Sequence, residues 1–141
     1  MSERVYLPVT SSGLARLVAE GRLDGPLRAH AVTDALREAW GEGGDQEGWE
    51  YAALMAAAAT SAGLRGSGDA PRRYVVAADV PSFVPVPGGD PTLVDVAADV
   101  TWRNVASAHV DTADRQPGAD PGADDEDLAW FATQEIAHLL D

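Results

Sequence analysis

Few side chains in this sequence have the types and spacing that chemistry needs, and the clearest set contains a histidine and an aspartate. His109-Val-Asp111 alternates, so a strand would place the imidazole and the carboxylate on one face. That spacing could serve a metal ion or a hydrogen-bonded histidine. A complete ligand set would need carboxylates from distant segments, because the chain has three histidines and no cysteine. We therefore predict a hydrogen-bonded histidine, with no metal site and no cofactor.

A second candidate set lies where a strand-like segment leads into a helix-like segment. The Thr33 hydroxyl could accept N–H groups from the first turn of a helix that begins at Asp34. His30 comes just before this junction and Arg37 just after it. Backbone amides and a guanidinium could hold an anion there. The alternative interpretation is a capped helix with surface ion pairs.

Several kinds of active site lack support. All 10 basic residues are arginine, so Schiff-base chemistry on a lysine is excluded, as is any cysteine nucleophile. The glycines of segment 63–68 are not followed by the lysine of a phosphate-binding loop, and neither Gly-x-Ser-x-Gly nor a dinucleotide fingerprint occurs. Glu135-Ile-Ala-His138 has the spacing of di-metal helix bundles, where it must occur twice. No catalytic set is complete, and the catalytic residues are unknown.

The charge balance limits the class of partner. The formal net charge is −13, and this field repels nucleic-acid backbones and anionic membranes, so we predict binding to neither. No apolar run is long enough to span a membrane, and the N-terminal segment lacks the pattern of a signal peptide. Together with the absence of cysteine, these features predict a cytoplasmic protein.

The elements that must position the candidate residues follow from hydrophobic periodicity. The predicted strands are 4–9, 27–32, 73–80, 92–100 and 105–111. The predicted helices are 13–20, 34–40, 46–64 and 125–140, with a helical turn at 101–104. Composition predicts loops at 65–72, 81–91 and 112–124. The second strand is expected to run parallel to the first, by the right-handed rule for β-helix-β units.

This order of elements predicts a single α+β domain over residues 1–141. We expect a two-layer sandwich, in which a mixed sheet of about five strands carries helices mainly on one face. Residues 46–64 are apolar around most of their circumference and form the expected central packing helix.

The strand phases place polar groups on the sheet face away from the helices. That face is either an ordinary solvated surface or a binding surface for a small anionic ligand. The candidate ligand-binding residues are Tyr6, His30, Thr33, Arg37, Asp79, His109 and Asp111.

The whole chain resembles a small family of uncharacterised actinobacterial proteins, a domain of unknown function. The resemblance implies an actinobacterial, cytoplasmic protein and supplies no activity, cofactor or catalytic residue. The matching segments are Arg4–Pro8, Ala31–Glu38, Glu50–Leu54, Val75–Pro81, Val105–Asp111 and Phe131–Ile136.

Two hypotheses about function stay open. The first is a non-enzymatic binding or regulatory module that takes a protein partner or forms a homodimer. The second is a small enzyme that acts on an anionic metabolite, with Arg37, His30, His109 and either Asp79 or Asp111 gathered at strand ends. A third idea, an acidic mimic of nucleic acid, depends on the net charge alone.

Overall fold

The computed structural model describes residues 2–114 and 128–140. The helices are α1 (Ser11–Glu20), α2 (Asp34–Trp40) and α3 (Gln46–Leu64), with 3-10 helices at Trp102–Asn104 and Thr133–Leu140. The strands are β1 (Glu3–Val9), β2 (Arg22–Leu23), β3 (Leu27–His30), β4 (Tyr74–Val80), β5 (Val84–Pro85), β6 (Leu93–Val96), β7 (Val100–Thr101), β8 (Val105–Val110) and β9 (Ala129–Ala132).

Each α-helix begins where a side chain accepts a free N–H of its first turn. Thr10 caps α1, Thr33 caps α2, and Asp45 caps α3 by accepting from Gly48 N at 2.8 Å. Gly21 ends α1 with φ of 75°, a left-handed conformation that favours glycine. The predicted bounds of the second and third helices are confirmed, because caps and periodicity are local properties.

The main sheet has seven strands in the order β5-β6-β3-β1-β4-β8-β9, and β2 and β7 form a second, two-stranded sheet. Every strand pair in the described part of the chain is antiparallel. The α+β class is confirmed, whereas a mixed sheet of about five strands and a parallel second strand are wrong. The short strand β2 pairs outside the main sheet, and the chain after it enters β3 in the opposite direction to β1.

Helices pack against both faces of the main sheet, so the expectation of helices mainly on one face is wrong. Val5 and Leu7 of β1 share a core with residues of α1. Tyr6, which points to the other face, packs with Ala53 and Ala57 of α3. Helix α3 therefore covers the face that was expected to carry exposed polar groups. Its alanines allow this close approach, because their side chains take up little volume.

The C-terminal segment is not the predicted helix 125–140. Residues 129–132 form β9, which pairs with β8, and a 3-10 helix follows to Leu140. Ala-Trp-Phe-Ala suits a strand as well as a helix, and pairing with β8 decides between them. The acidic start at 125–127 lies outside the described residues.

The predicted loops have different outcomes. Segment 65–72 contains neither helix nor strand, whereas 81–91 contains β5. Residues 115–124 of the third loop lie outside the described residues. Within 2–114 and 128–140, no helix is long and apolar enough to cross a membrane.

Candidate functional site

A cleft of about 190 Å³ lies between β1 and the helices α2 and α3. Its polar wall is formed by Glu3, Arg4 and Tyr6 of β1, Arg37 of α2, and Gln46 and Glu50 of α3. Val32 and Phe83 add an apolar wall. We call this site the cleft. Its chemistry is set by four charged side chains and one tyrosine.

Tyr6 is the buried one of the three β1 residues that line the cleft. Its side chain is 7% exposed, and its hydroxyl forms no hydrogen bond with any described residue. Burial raises the pKa of Tyr6, and the nearby Glu50 carboxylate raises it further. The hydroxyl therefore keeps its proton and can either donate or accept one hydrogen bond.

Each arginine of the cleft is already paired with an aspartate. Arg4 donates two hydrogen bonds to Asp79, from Nε at 2.7 Å and from Nη2 at 3.3 Å, and the pKa of Arg4 is raised mainly by this contact. Arg37 donates from Nη1 to Asp34 Oδ1 at 2.8 Å. The Arg37 guanidinium also lies 5.4 Å from the ring centroid of Trp49, within cation–π distance.

The glutamates of the cleft lack such partners. Glu50 accepts a hydrogen bond from Gln46 Nε2 at 3.3 Å. Neither Glu3 nor Glu50 forms an ion pair with any arginine described by the structure. The cleft therefore combines two guanidiniums that are paired with aspartates and two carboxylates that form no ion pair within the described residues.

His30 lies beside Tyr6 in the sheet but is enclosed by hydroxyl groups. It is 2% exposed, with Nδ1 at 2.7 Å from Thr92 Oγ1 and Nε2 at 2.9 Å from Thr60 Oγ1. Burial lowers the pKa of His30, and the Asp90 carboxylate opposes this shift. His30 is thus a neutral side chain that links β3 to α3 and to the start of β6.

Thr33 has a structural task at the start of α2. Its hydroxyl accepts from Leu36 N at 3.0 Å and donates to the Pro91 carbonyl oxygen. Both functions of the hydroxyl are therefore used within the fold.

His109 and Asp111 contact different partners. His109 Nε2 lies 3.2 Å from Ser107 Oγ, and the pKa of His109 is lowered by burial and by Arg4. Asp111 follows β8 and binds the guanidinium of Arg73, with the closest contact at 2.8 Å. This pair is almost completely buried, since the side chains are 6% and 1% exposed.

The seven candidate residues are therefore divided among separate surroundings. Tyr6 and Arg37 line the cleft, and Asp79 holds Arg4 beside it. His30, Thr33, His109 and Asp111 are engaged elsewhere. The sequence analysis did not include Glu50 among the candidate ligand-binding residues, because its position in the cleft depends on how α3 crosses the sheet. A charged residue within a largely apolar helix was a signal that could have indicated it.

A larger depression of about 470 Å³ lies at the start of α1, and Asp69 and Asp114 are its acidic lining residues. Asp69 accepts from Gly66 N at 2.7 Å and from Ser12 N at 3.1 Å. Hydrogen bonds from Ser12, Gly66 and Ser11 lower the pKa of Asp69 to about 2. This carboxylate serves to join a loop to α1. Within the described ranges, no group of three or more histidines and carboxylates could hold a metal ion.

Comparison with known proteins yields one match. The model of a Family of unknown function (DUF6912) matches residues 3–140. No curated protein and no solved structure matches the chain.

Proposed function

The chain belongs to this family of unknown function, and we propose that it is a non-enzymatic binding or regulatory module whose ligand site is the cleft. The Tyr6 hydroxyl carries the proposal, because Tyr6 is 7% exposed while its hydroxyl faces the cleft and has no partner among the described residues. A hydroxyl that a buried ring holds in place, and that has no protein partner, is available to a hydrogen-bonding group of a ligand.

The enzyme alternative needs Arg37, His30 and His109 to converge on one substrate together with an aspartate. His30 is held by two threonines, and Asp111 neutralises a buried arginine. These engagements favour binding over catalysis.

The ligand group could belong to a small molecule or to a partner protein, including a second copy of the chain. Val84 and Trp130 are 67% and 61% exposed on β5 and β9, the outer strands of the sheet described here. Exposed strand edges can accept further strands. Light scattering of the purified protein tests the homodimer.

The proposal includes a cytoplasmic location and an actinobacterial origin. The lack of cysteine supports the first, and the net charge of −13 supports a module that does not contact nucleic acid. Fractionation of a cell that expresses the chain tests the location.

Amide chemical shifts of the full chain test the cleft as a ligand site. A panel of small anions, cations and zwitterions at millimolar concentration should shift the amides near Tyr6 and Glu50 for at least one class. Tyr6→Phe should weaken that binding, while Tyr51→Phe, on the exposed part of α3, should not. The proposal is wrong if no compound moves the amides around the cleft.

A further inference from the structure

The unpaired charges of the cleft indicate which kind of ligand it takes. We infer that the cleft recognises an organic cation, an alkylammonium or guanidinium group, held between the Tyr6 hydroxyl and the Glu50 and Glu3 carboxylates. This inference rests on the proposed function and gives its ligand a chemical class. It differs from the anionic ligand that the sequence favoured.

The local charges favour a cation over an anion. Arg4 and Arg37 each face an aspartate at 2.7–2.8 Å, so these two positive charges are neutralised already. Glu3 and Glu50 supply two further negative charges without a basic partner in the described segments. An entering anion would therefore meet an excess of carboxylates, whereas a cation would balance it.

The hydrogen-bonding groups of the cleft also favour a cation over an anion. An ammonium group donates three hydrogen bonds, and the Tyr6 oxygen and a carboxylate are acceptors. An anion could meet the remaining N–H groups of Arg4 and Arg37, but the charge of each guanidinium is already paired with an aspartate. Tyr6 is more than nine-tenths buried, so its hydroxyl is a fixed part of the site.

The shape of the cleft suits a short aliphatic stem. Its volume of about 190 Å³ is below the range of roughly 300–1,000 Å³ typical of sites for drug-sized ligands. Val32 and Phe83 could contact the methylene groups of such a stem, as apolar surfaces do along lysine and arginine side chains. A free alkylamine and a basic side chain of a partner share this chemistry.

Amide-shift titrations of the full chain at low salt test the inference with four probes. The cationic probes are n-butylammonium and a short blocked peptide with one central lysine, and the anionic probes are acetate and inorganic phosphate. We expect saturable shifts around the cleft with the cations only. A peptide that binds at least about tenfold more tightly than the amine would identify a protein as the source, and equal affinities would identify a free amine.

Variants separate a specific contact from general attraction to an acidic protein. Glu50→Gln should weaken cation binding about tenfold or more, because it removes a charge-assisted hydrogen bond. Glu47→Gln makes the same change of net charge at an exposed position of α3 and should leave binding unchanged. Glu3→Gln provides a second variant in the cleft, and the dispersion of the amide spectrum shows that each variant is folded.

The outcomes are distinct. If acetate or phosphate binds at the cleft and the cations do not, the inference is wrong while the proposed binding function stands. If no probe binds at the cleft, the inference fails, and a negative result with the broader panel would remove the proposed function as well. Equal weakening by Glu50→Gln and Glu47→Gln would also overturn the inference, because the attraction would then be nonspecific.

Discussion

Ser61, His30 and Arg73 are buried polar side chains that are held by specific partners on neighbouring elements. The Ser61 hydroxyl of α3 donates to the Val9 carbonyl oxygen at 2.6 Å and accepts from Tyr74 N at 2.9 Å. His30 joins three elements, and Arg73 is enclosed with Asp111. Such groups stabilise the fold only while each partner stays in place, because an unpaired buried polar group is costly.

Asp111→Asn should be strongly destabilising. It would leave the Arg73 guanidinium buried without its carboxylate, and breaking a buried pair in this way costs about 3–5 kcal/mol. The free energy of unfolding from urea denaturation measures the loss. Asp95→Asn is the matched control, because the Arg28–Asp95 pair is more than half exposed and should be worth less than about 1 kcal/mol. Similar small losses for both variants would contradict the prediction.

His30 should make the protein less stable in mild acid. Its pKa is lowered in the folded state, so the unfolded chain binds a proton first, near pH 6.5. The contribution of His30 to the free energy of unfolding should be fully present above that pH and should be lost as the pH drops through the folded-state pKa. Urea denaturation between pH 7.5 and 5 measures the slope of the free energy of unfolding against pH. The His30→Gln substitution should reduce that slope.

His109→Gln serves as the companion variant in the acid series. The pKa of His109 is also lowered by burial, so this substitution should remove a separate part of the slope. An unchanged slope in His30→Gln would show that the imidazole of His30 does not resist protonation in the folded protein.

Helix α3 is the element that decides where the cleft lies. It brings Glu50 and Gln46 to the cleft and covers the sheet face that carries Tyr6, Val75 and Ala77. Ala53, Ala57 and Ala58 of this helix are completely buried. The small side chains of α3 therefore determine how closely this helix packs against the sheet. They also determine where the wall of the cleft formed by α3 lies.

Ala57→Leu should destabilise the protein by about 1–3 kcal/mol, because the added side chain cannot fit between α3 and the sheet without displacing its neighbours. Thermal or urea denaturation measures the loss. Gly63→Ala in the same helix should instead gain about 0.4–1 kcal/mol, since a Cβ there meets no atom within 4 Å. A neutral Ala57→Leu would mean that α3 packs loosely on this face.

Seen as a whole molecule, the protein is dominated by negative charge. The chain has 23 acidic and 10 basic residues, and the ion pairs between side chains described by the structure all use arginine. The acidic excess has no basic partner within the chain. It repels itself in the compact state and should repel anionic ligands before they reach the cleft.

Added salt should therefore stabilise the protein. Screening weakens both the repulsion and the exposed ion pairs, and the repulsion is the larger effect at a net charge of −13. We expect a gain of roughly 1 kcal/mol, a few degrees in melting temperature, between 0.01 and 0.2 M sodium chloride. Sodium fluoride should act alike, which controls for chloride binding. A melting temperature that falls with salt would contradict the prediction.

Local signals in the sequence determined much of the secondary structure. The predicted cap at Thr33 indicated the start of α2, and the long apolar pattern of residues 46–64 indicated α3, because capping and periodicity depend on neighbours along the chain. The alternation of β1 and β4 was visible for the same reason. The α+β class and the family followed from the sequence too.

The tertiary structure alone decided which residues meet. Strand order, the antiparallel pairing of β3 with β1, and the choice of strand at 129–132 depend on contacts between distant segments. The sequence placed Tyr6, His30 and Asp111 among polar candidates but could not divide them. That division follows from tertiary contacts. Helix α3 lies across the sheet, where it helps to enclose His30 and gives Tyr6 a cleft that it shares with Glu50, whereas the pairing of β4 with β8 brings Asp111 to Arg73.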